Sequence, residues 1–270
     1  MNNILFFFGL ISILLSPGEK KYEGKAGAEN INIHKSSRNP VIRIINGKYL
    51  GNNTNNYYGN IAPSSLNLIW KHYLGYGKSI VKPAEGEEVF MGAGWTGQPL
   101  IVQEKNDKFL IIGAYDHNLK KINAETGELC WQYMFDDIIK GTGNIWLNRK
   151  ATSNCDRFII LQGSRKGLHN SLFASSVPSL RAVSYASGKE IWKFDVRRTD
   201  SYSRDVDGTP LILDDTVYLG LENGLFTVLN ADLQKLSEVN GMLQPEKLGE
   251  HYLYTKHDIA KHGGNLVTES

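Results

Sequence analysis

The sequence predicts an all-β fold made of repeated four-stranded units. Three observations support this: a repeated phrase, a second repeat in a compatible register, and strand-and-turn punctuation within each unit. The phrases at 122–131 and 183–192 both end in Ala-x-(Thr/Ser)-Gly-x-x-x-Trp. Trp131 and Trp192 are 61 positions apart, and Trp70 lies another 61 positions earlier. Self-similarity at a fixed period is typical of a repeat architecture.

A second repeat supports the first. Gly-Gln-Pro-Leu-Ile-Val at 97–102 resembles Gly-Thr-Pro-Leu-Ile-Leu at 208–213, an offset of 111 positions, or about two periods of 55 to 56. One more period leads to Gly264. The last residues of the sequence are therefore expected to open another unit.

Each unit contains short β-branched and aromatic runs separated by turns rich in Asn, Asp and Gly, which is the pattern of strands and hairpins. The unit that begins at Gly97 has four such runs, at 100–102, 109–113, 119–123 and 129–134. The unit that begins at Gly208 repeats the pattern. Its Asn223-Gly224 pair predicts a tight type I′ hairpin. No long segment carries a sustained apolar period of 3.6 residues.

Four antiparallel strands in about 55 residues predict the blade of a β-propeller. Gly127 and Gly188 permit a left-handed turn between the third and fourth strands of their blades. We expect Trp70, Trp131 and Trp192 to begin the outer strands and to lie flat against the neighbouring blades, where large rings bury much apolar area. The alternative is a generic β-sandwich in which similar phrases arose by chance.

The phrase at 182–192 resembles the tryptophan-docking motif of the pyrroloquinoline-quinone (PQQ)-type β-propeller repeat, Ala-x-Asp-x-x-Thr-Gly-Lys-x-x-Trp. Ser184 replaces the Asp, and Ser187 replaces the Thr. The segment 121–131 matches less well at its start. The resemblance covers roughly residues 60–270 and implies the fold. Most proteins with this repeat do not bind the quinone, so activity has to be argued from a site.

The resemblance offers two branches. Quinoprotein dehydrogenases hold PQQ over Ca²⁺ in the central channel, with an Asp as base and often a disulfide between adjacent cysteines. Here Cys130 and Cys155 are not adjacent, and no position matches the quinone or metal site. The other branch is the non-catalytic envelope propellers, including an outer-membrane-assembly lipoprotein that scaffolds protein partners. We expect this second branch, with no catalytic residue, no metal and no cofactor; PQQ with calcium belongs to the alternative.

The charge balance argues against nucleic-acid binding. Thirty Lys and Arg residues face 28 Asp and Glu residues, a formal net charge of +2. No basic run with interleaved aromatic residues appears, so the expected partner is a protein or a glycan and not a nucleic acid.

The first residues predict export. Residues 4–15 are mostly apolar and are followed by Ser-Pro-Gly and a charged segment, which suits a signal peptide and is short for a membrane span. We therefore expect a signal peptide or N-terminal apolar segment at 1–18, a periplasmic or secreted location, and two free thiols. Residues 19–60 form an irregular region with a first strand at 41–45, placed in a degenerate blade that ends at Trp70. Blades follow over 61–270.

A binding site is predicted at one mouth of the channel, where the loops 94–98, 148–152 and 204–208 are expected to converge. These loops carry a mixed polar ring with one aromatic residue: Trp95, Gln98, Arg149, Lys150, Arg204, Asp205 and Asp207. Such a ring suits a peptide, a sugar or a carboxylate ligand. The alternative is that these are solvated loop residues or ion pairs across blades. The insertion at 163–180 is a second candidate contact region.

The sequence gives little support for a metal site or for a catalytic nucleophile. Asp205-x-Asp207-Gly208 supplies two carboxylates, whereas Ca²⁺ needs about six oxygen ligands. The seven histidines lack the spacing of a helical zinc site. No Gly-x-Ser-x-Gly elbow is present.

The sequence therefore predicts an exported β-propeller module that binds or scaffolds a partner. The alternatives are a fragment of a PQQ-dependent dehydrogenase and an extracellular polysaccharide-binding module. About four blades are expected, which leaves the ring incomplete. We expect either an N-terminal fragment or a ring closed by a second copy of the chain.

Overall fold

The computed structural model describes residues 42–56, 64–82, 84–171, 173–200 and 203–258. The predicted signal segment at 1–18, most of the irregular region that follows it, and the unit expected to open at Gly264 lie outside the described residues. Within the described part of the chain, no helix is both long enough and apolar enough to cross a membrane.

Among the described residues, three strands precede the first complete blade: β1 (Ile42–Asn46), β2 (Tyr76–Ser79) and β3 (Glu88–Met91). Strands β2 and β3 form an antiparallel hairpin. Strand β1 pairs antiparallel with the first strand of the blade that follows, so placing 41–45 in a degenerate blade of its own was wrong. The reason is hydrophobic, because Ile42 and Ile44 pack against the core between the first two complete blades.

The described residues form three four-stranded antiparallel blades, the first of them extended by β1, which confirms the predicted all-β fold. Blade one contains β4 (Leu100–Glu104), β5 (Asp107–Gly113), β6 (Asn118–Asn123) and β7 (Leu129–Met134). Blade two contains β8 (Asn144–Leu147), β9 (Phe158–Gly163), β10 (Leu180–Ser184) and β11 (Glu190–Phe194). Blade three contains β12 (Leu211–Leu213), β13 (Thr216–Gly220), β14 (Leu225–Asn230) and, after an insertion, β17 (Lys247–Tyr252).

Apolar side chains fill the spaces between the blades. Blades one and two share a core that includes Leu119, Phe135 and Ile160. Blades two and three share a second core that includes Trp146 and Trp192. Burial of these strand faces supplies the main favourable term for packing one blade on the next.

Two predicted docking tryptophans make the same contact with the blade that follows. The Trp70 indole nitrogen donates to the carbonyl of Ala124 at 2.9 Å, and the Trp131 indole nitrogen donates to the carbonyl of Tyr185 at 3.1 Å. A Cβ on Gly127 or Gly188 would lie 2.8 Å or 2.7 Å from the facing ring. Both glycines also have positive φ, so each turn requires Gly for two reasons.

Trp192 lies differently, because blade three departs from the repeat. The turn before β17 is replaced by an insertion, which contains a 3₁₀ helix (Leu233–Lys235), β15 (Ser237–Val239) and β16 (Met242–Gln244). Leu233 and Leu236 of this insertion pack against the core that contains Trp192, which is 1% exposed. The insertion therefore covers the position where a Thr/Ser-Gly turn receives the tryptophan in the earlier blades.

The register of blade three assigns a different residue to the tryptophan position. A β-bulge directly follows the pairs Lys121–Trp131 and Ala182–Trp192. The matching bulge in blade three follows the pair Val228–Gly249. Gly249 therefore occupies the position that the docking tryptophan holds in the other two blades.

The turn between β13 and β14 is not the predicted type I′ hairpin. Gly224 has positive φ, whereas Asn223 does not. The buried side chain of Asn223 accepts from the backbone nitrogen of Leu225 at 3.1 Å and donates to the carbonyl of Arg197 at 2.7 Å. These bonds satisfy a buried amide and fix a different turn.

The loops that lead into the first strands stack on one another through threonines. The Thr142 hydroxyl donates to the carbonyl of Thr96 at 2.7 Å, and the Thr209 hydroxyl donates to the carbonyl of Thr142 at 2.8 Å. Gly141 approaches the next loop so closely that a Cβ there would lie 1.9 Å from the carbonyl oxygen of Asp207. This stacking brings the side chains of successive loops together at one end of the blades.

Candidate functional site

We call this end of the blades the mouth. The loops 94–99, 135–143 and 203–210 reach it as they lead into β4, β8 and β12. The turns that leave β5, β9 and β13 reach it as well, because neighbouring strands of each blade run antiparallel. Two sets of connections from three blades therefore meet there.

The structure places five of the seven predicted ring residues at the mouth: Trp95, Gln98, Arg204, Asp205 and Asp207. It does not bring Arg149 and Lys150 there, because both follow β8 and lie at the opposite end of the blades. The sequence pattern had placed the loop 148–152 ahead of the first strand of blade two, whereas β8 is itself that strand. Arg149 is exposed, and Lys150 pairs with Asp232 at 2.5 Å and with Asp215 at 3.3 Å.

Gln98 and Arg204 are engaged in holding loops in place. The Gln98 side chain accepts from the backbone nitrogen of Leu50 at 2.9 Å. The buried Arg204 guanidinium donates to the carbonyls of Val196 and Ala174, each at 2.6 Å. Both side chains therefore help to hold the loops that form the mouth.

Trp95 and Tyr115 form the aromatic part of the mouth. Trp95 is 90% exposed. Tyr115 is partly buried and stacks at a tilt on Phe90, with ring centroids 5.5 Å apart. Burial raises the pKa of Tyr115, while Lys140, Asp207 and the backbone of Trp95 also act on its hydroxyl. The phenol thus lies close to the backbone of Trp95 and to the Lys140–Asp207 pair.

Asp205 is one anchor of a buried charged cluster. Its carboxylate accepts from the Arg165 side chain at 2.7 Å and from the backbone nitrogen of Lys166 at 2.9 Å. Arg165 also donates to the hydroxyl of Ser79 at 3.0 Å. Asp205 and Arg165 are both almost fully buried, so each charge is compensated by the other.

Asp207 is the second anchor of this cluster. It forms an ion pair with Lys140, and about a quarter of each of these two side chains is exposed. The Glu222 carboxyl hydrogen-bonds to Asp207. Asp207 Oδ1 is buried and has no hydrogen-bond donor in the described part of the chain. When Glu222 is protonated, its carboxyl can donate to Asp207.

The surroundings of Glu222 favour its protonated form. Burial raises the pKa of Glu222 to about 8, and the nearby charges of Asp205 and Asp207 contribute to this rise against the opposing effect of Lys140. Burial by itself lowers the pKa of Lys140, but its pairing with Asp207 outweighs burial and leaves that pKa raised. Lys140 therefore stays charged at neutral pH while Glu222 is largely protonated.

Asp137 adds a further acid. It is 1% exposed, and its Oδ1 accepts from the backbone nitrogen of Ile138 at 2.8 Å. Its Oδ2 is buried without a donor in the described part of the chain, and its charge acts on Arg165. The cluster thus contains four acids and two bases: Asp137, Asp205, Asp207, Glu222, Lys140 and Arg165.

Three further residues at the mouth were not predicted from the sequence, although their positions in the repeat could have indicated them: Tyr115, Arg165 and Glu222. Each stands two positions after the glycine that ends the second strand of its blade, at Gly113, Gly163 and Gly220. These three positions face the mouth because the turns are equivalent. Aligning the second strands of the blades on that glycine would have found them.

Lys140 has an equivalent signal, because Lys140-Gly141-Thr142 corresponds to Asp207-Gly208-Thr209 through the stacking of the threonines. The repeat carries a base on one loop and an acid on the next, and their contact forms the ion pair.

The described residues contain no group of three His, Cys, Asp or Glu side chains able to hold a metal ion. Asp205 and Asp207, the two carboxylates considered for calcium, are paired with Arg165 and Lys140. One oxygen of each carboxylate is thus paired with a cationic side chain, which leaves fewer oxygens than a calcium ion needs. Cys130 and Cys155 are exposed free thiols.

The insertion 163–180, the second predicted contact region, joins β9 to β10. It supplies Arg165 to the cluster. It also carries Phe173, which is 69% exposed, with the Arg198 guanidinium 4.2 Å from the ring centroid.

No protein-family model matches the chain, and no curated protein shows significant similarity to it. Several solved structures are similar at low sequence identity. A europium-containing methanol dehydrogenase is 15% identical with a TM-score of 0.48; the match covers 76% of this chain and 32% of that one. The quinohemoprotein alcohol dehydrogenase ADHIIG from Pseudomonas putida HK5 is 15% identical with a TM-score of 0.35, over 50% of this chain and 18% of that one.

BamB from Moraxella catarrhalis is 16% identical with a TM-score of 0.31, over 60% of this chain and 57% of that one. The chain thus spans about a third of the methanol dehydrogenase and somewhat more than half of BamB. The propeller-type fold follows from the blades and blade contacts of this chain itself.

Proposed function

We propose that this chain is an exported β-propeller module that binds or scaffolds a protein partner and has no catalytic activity of its own. One observation carries the proposal: an unusual concentration of exposed apolar side chains next to blade one. We call it the apolar strip, and it consists of Leu66, Leu68, Ile69, Tyr73, Tyr76, Val89 and Met91, each more than half exposed.

The apolar strip is the outer side of a segment whose inner side is packed. Trp70 and Leu74 of the same segment pack against the core of blade one. In the hairpin that follows, Tyr76 pairs with Met91 and Lys78 pairs with Val89, so these four side chains share the exposed face. A cluster of exposed apolar side chains is typical of a protein–protein contact.

Paired charges border the strip, as at many protein interfaces. Lys78 pairs with Glu87, and Lys82 pairs with Glu85, both at 2.8 Å. The border is therefore polar and nearly neutral, which favours a protein surface over a strongly charged polymer.

A photo-crosslinking amino acid at position 91 tests the proposal in the native envelope. We expect one discrete adduct, and we expect Tyr76→Glu to abolish it because a carboxylate cannot be buried in an apolar contact without a partner. The same reagent at position 149, at the opposite end of the blades, is the matched control. Equal labelling at both positions, or an adduct that survives Tyr76→Glu, would contradict the proposal.

The mass of the adduct identifies the partner class. An adduct at twice the mass of the chain would indicate a second copy, as expected if the ring closes by association. Reconstitution with PQQ and Ca²⁺ tests the dehydrogenase alternative. We expect no quinone absorbance to co-elute with the protein and no dye-linked alcohol or sugar oxidation; either signal would refute the scaffold proposal.

A further inference from the structure

We propose that the mouth binds one organic cation, an ammonium or guanidinium group, against Trp95 and Tyr115 and above the carboxyls of Asp207 and Glu222. The inference concerns a second site and holds whether or not the apolar strip binds a protein. It replaces the carboxylate or neutral ligand that the polar ring suggested from the sequence, because the structure collects a different set of charges there.

The first reason is the charge of the cluster. Four acids face two bases within one partly buried network, and the two bases are already paired with Asp205 and Asp207. With all groups ionised, the cluster carries two surplus negative charges. Such a surplus favours a positively charged ligand and disfavours an anion.

The second reason is the set of carboxylate oxygens that lack donors. Asp137 is almost fully buried, and its Oδ2 has no donor in the described part of the chain. Asp207 Oδ1 is buried too and has no donor in the described part of the chain. An uncompensated buried acceptor is costly, and a ligand that brings N–H donors to Asp207 would relieve that cost at this residue, while Asp137 contributes through its charge.

The third reason is the aromatic rim. The partly buried Tyr115 phenol adjoins the Lys140–Asp207 pair, and the backbone of Trp95 contacts its hydroxyl while the Trp95 side chain is 90% exposed. Aromatic faces attract ammonium and guanidinium groups, and the attraction grows when the cation is partly desolvated. Carboxylates at the base and aromatic rings at the edge together favour an organic cation over a metal ion.

Access from solvent is open on this side. Trp95 is almost fully exposed, and Asp207 and Lys140 each remain about a quarter exposed. A ligand can therefore reach Asp207 and Glu222 without moving a blade, whereas Asp137 and Asp205 lie deeper and act through their charge.

Protonation of Glu222 couples cation binding to pH. The proton on Glu222 occupies the place that the ligand's positive charge would take, so we expect binding to release that proton. The charged groups that act on Glu222 come from two connections and include both signs: Asp205 and Asp207 before β12, and Lys140 before β8. Above the pKa of Glu222, the site is already ionised and needs to release no proton.

Isothermal titration calorimetry with N-acetyl-arginine methylamide tests this inference at pH 6, 7 and 9, in two buffers of different ionisation enthalpy. We expect affinity to rise up to about tenfold per pH unit below pH 8 and then level off. Near pH 7, we expect about one proton released per ligand bound. The neutral analogue N-acetyl-citrulline methylamide should not bind.

Two variants and one control distinguish binding of the cation at the mouth from a general attraction of the cation to acidic residues. Glu222→Gln should abolish the proton release and flatten the pH profile. Trp95→Ala should weaken binding about three- to tenfold while leaving the proton release unchanged. Glu125→Gln, an exposed acid in the turn between the third and fourth strands of blade one, should match the wild type.

Several outcomes would overturn the proposal. These are no binding at any pH, binding of the citrulline analogue with equal affinity, or binding without proton release in the wild type. Far-ultraviolet circular dichroism of each variant shows whether it is folded, and a folded Glu222→Gln protein that still releases a proton would also refute it.

Discussion

Single residues at the mouth have roles that their residue type alone does not reveal. The sequence predicts that Asp205 and Asp207 bind a ligand at the mouth. In the structure, they pair with Arg165 and Lys140. Their neighbour Glu222 becomes the group that titrates near neutrality, because it is buried beside two other carboxylates. The chemistry of the mouth therefore depends on the arrangement of six charges and on no single motif.

Glu222 makes stability depend on pH in a defined direction. Its pKa is raised from 4.5 to about 8 in the folded chain, so the folded state holds a proton that the unfolded state has lost. We therefore expect the free energy of unfolding to fall as pH rises from about 4.5 to 8, by at most about 5 kcal/mol. Urea unfolding at pH 5, 7 and 9 measures this change.

Glu222→Gln should flatten that profile, because glutamine keeps a donor for Asp207 and does not titrate. Glu125→Gln, exposed in the turn 124–128, should keep the wild-type profile. A wild-type chain that becomes more stable between pH 5 and 8 would show that this burial effect is absent.

At the level of the structural element, the turn between third and fourth strands sets how blades pack. Gly127 and Gly188 adopt positive φ and lie under the rings of Trp70 and Trp131. The Thr/Ser-Gly phrase in the sequence is thus a requirement of local geometry. The same turn in blade three holds an insertion, and its leucines cover Trp192 in place of the turn.

Gly127→Ala should destabilise the chain by about 2–4 kcal/mol. The left-handed conformation costs about 1–2 kcal/mol for alanine, and the contact with the Trp70 ring adds the cost of overpacking. Gly86→Ala is the matched control, because Gly86 has φ of +78° and an added Cβ there would meet nothing within 4 Å. We expect Gly86→Ala to lower the free energy of unfolding by the conformational cost alone, as measured by chemical denaturation. Equal losses of stability for Gly127→Ala and Gly86→Ala would argue against the contact with the Trp70 ring.

Prediction from the sequence was most successful for strands and least successful for connections. The short β-branched and aromatic runs predicted the strands of blade one closely, because residues 100–134 follow the repeat without insertion. It missed β8, whose Asn-Ile-Trp-Leu sequence is short and lies outside the repeated phrase. That omission placed Arg149 and Lys150 at the wrong end of the blades relative to the mouth. The same sequence pattern did not predict β15 and β16, because they lie in an insertion that has no counterpart in the other blades.

Across the whole molecule, successive blades form a chain of nearest-neighbour contacts. Blade one meets blade two through one core, and blade two meets blade three through another. In such repeat architectures, stability is approximately a sum of blade terms and interface terms. Trp131 belongs to the first interface, both through its ring and through its bond to the carbonyl of Tyr185.

Trp131→Phe should lower the free energy of unfolding by about 1–3 kcal/mol, from a lost hydrogen bond and reduced apolar contact between blades one and two. Trp95→Phe at the exposed mouth is the matched control and should change stability by less than about 0.5 kcal/mol. Urea unfolding followed by circular dichroism measures both. Equal effects would show that Trp131 does not hold the two blades together.

The repeat, the strands of blade one and the glycines of the docking turns can be read from the sequence, because they depend on local pattern and on backbone conformation. The pairing of β1, the cover over Trp192 and the charges that meet at the mouth emerge only from the tertiary structure. Lys140, Arg165, Asp207 and Glu222 are separated by up to 82 positions in the chain. Contacts over that distance depend on how whole blades stack, and no local pattern in the sequence encodes them directly.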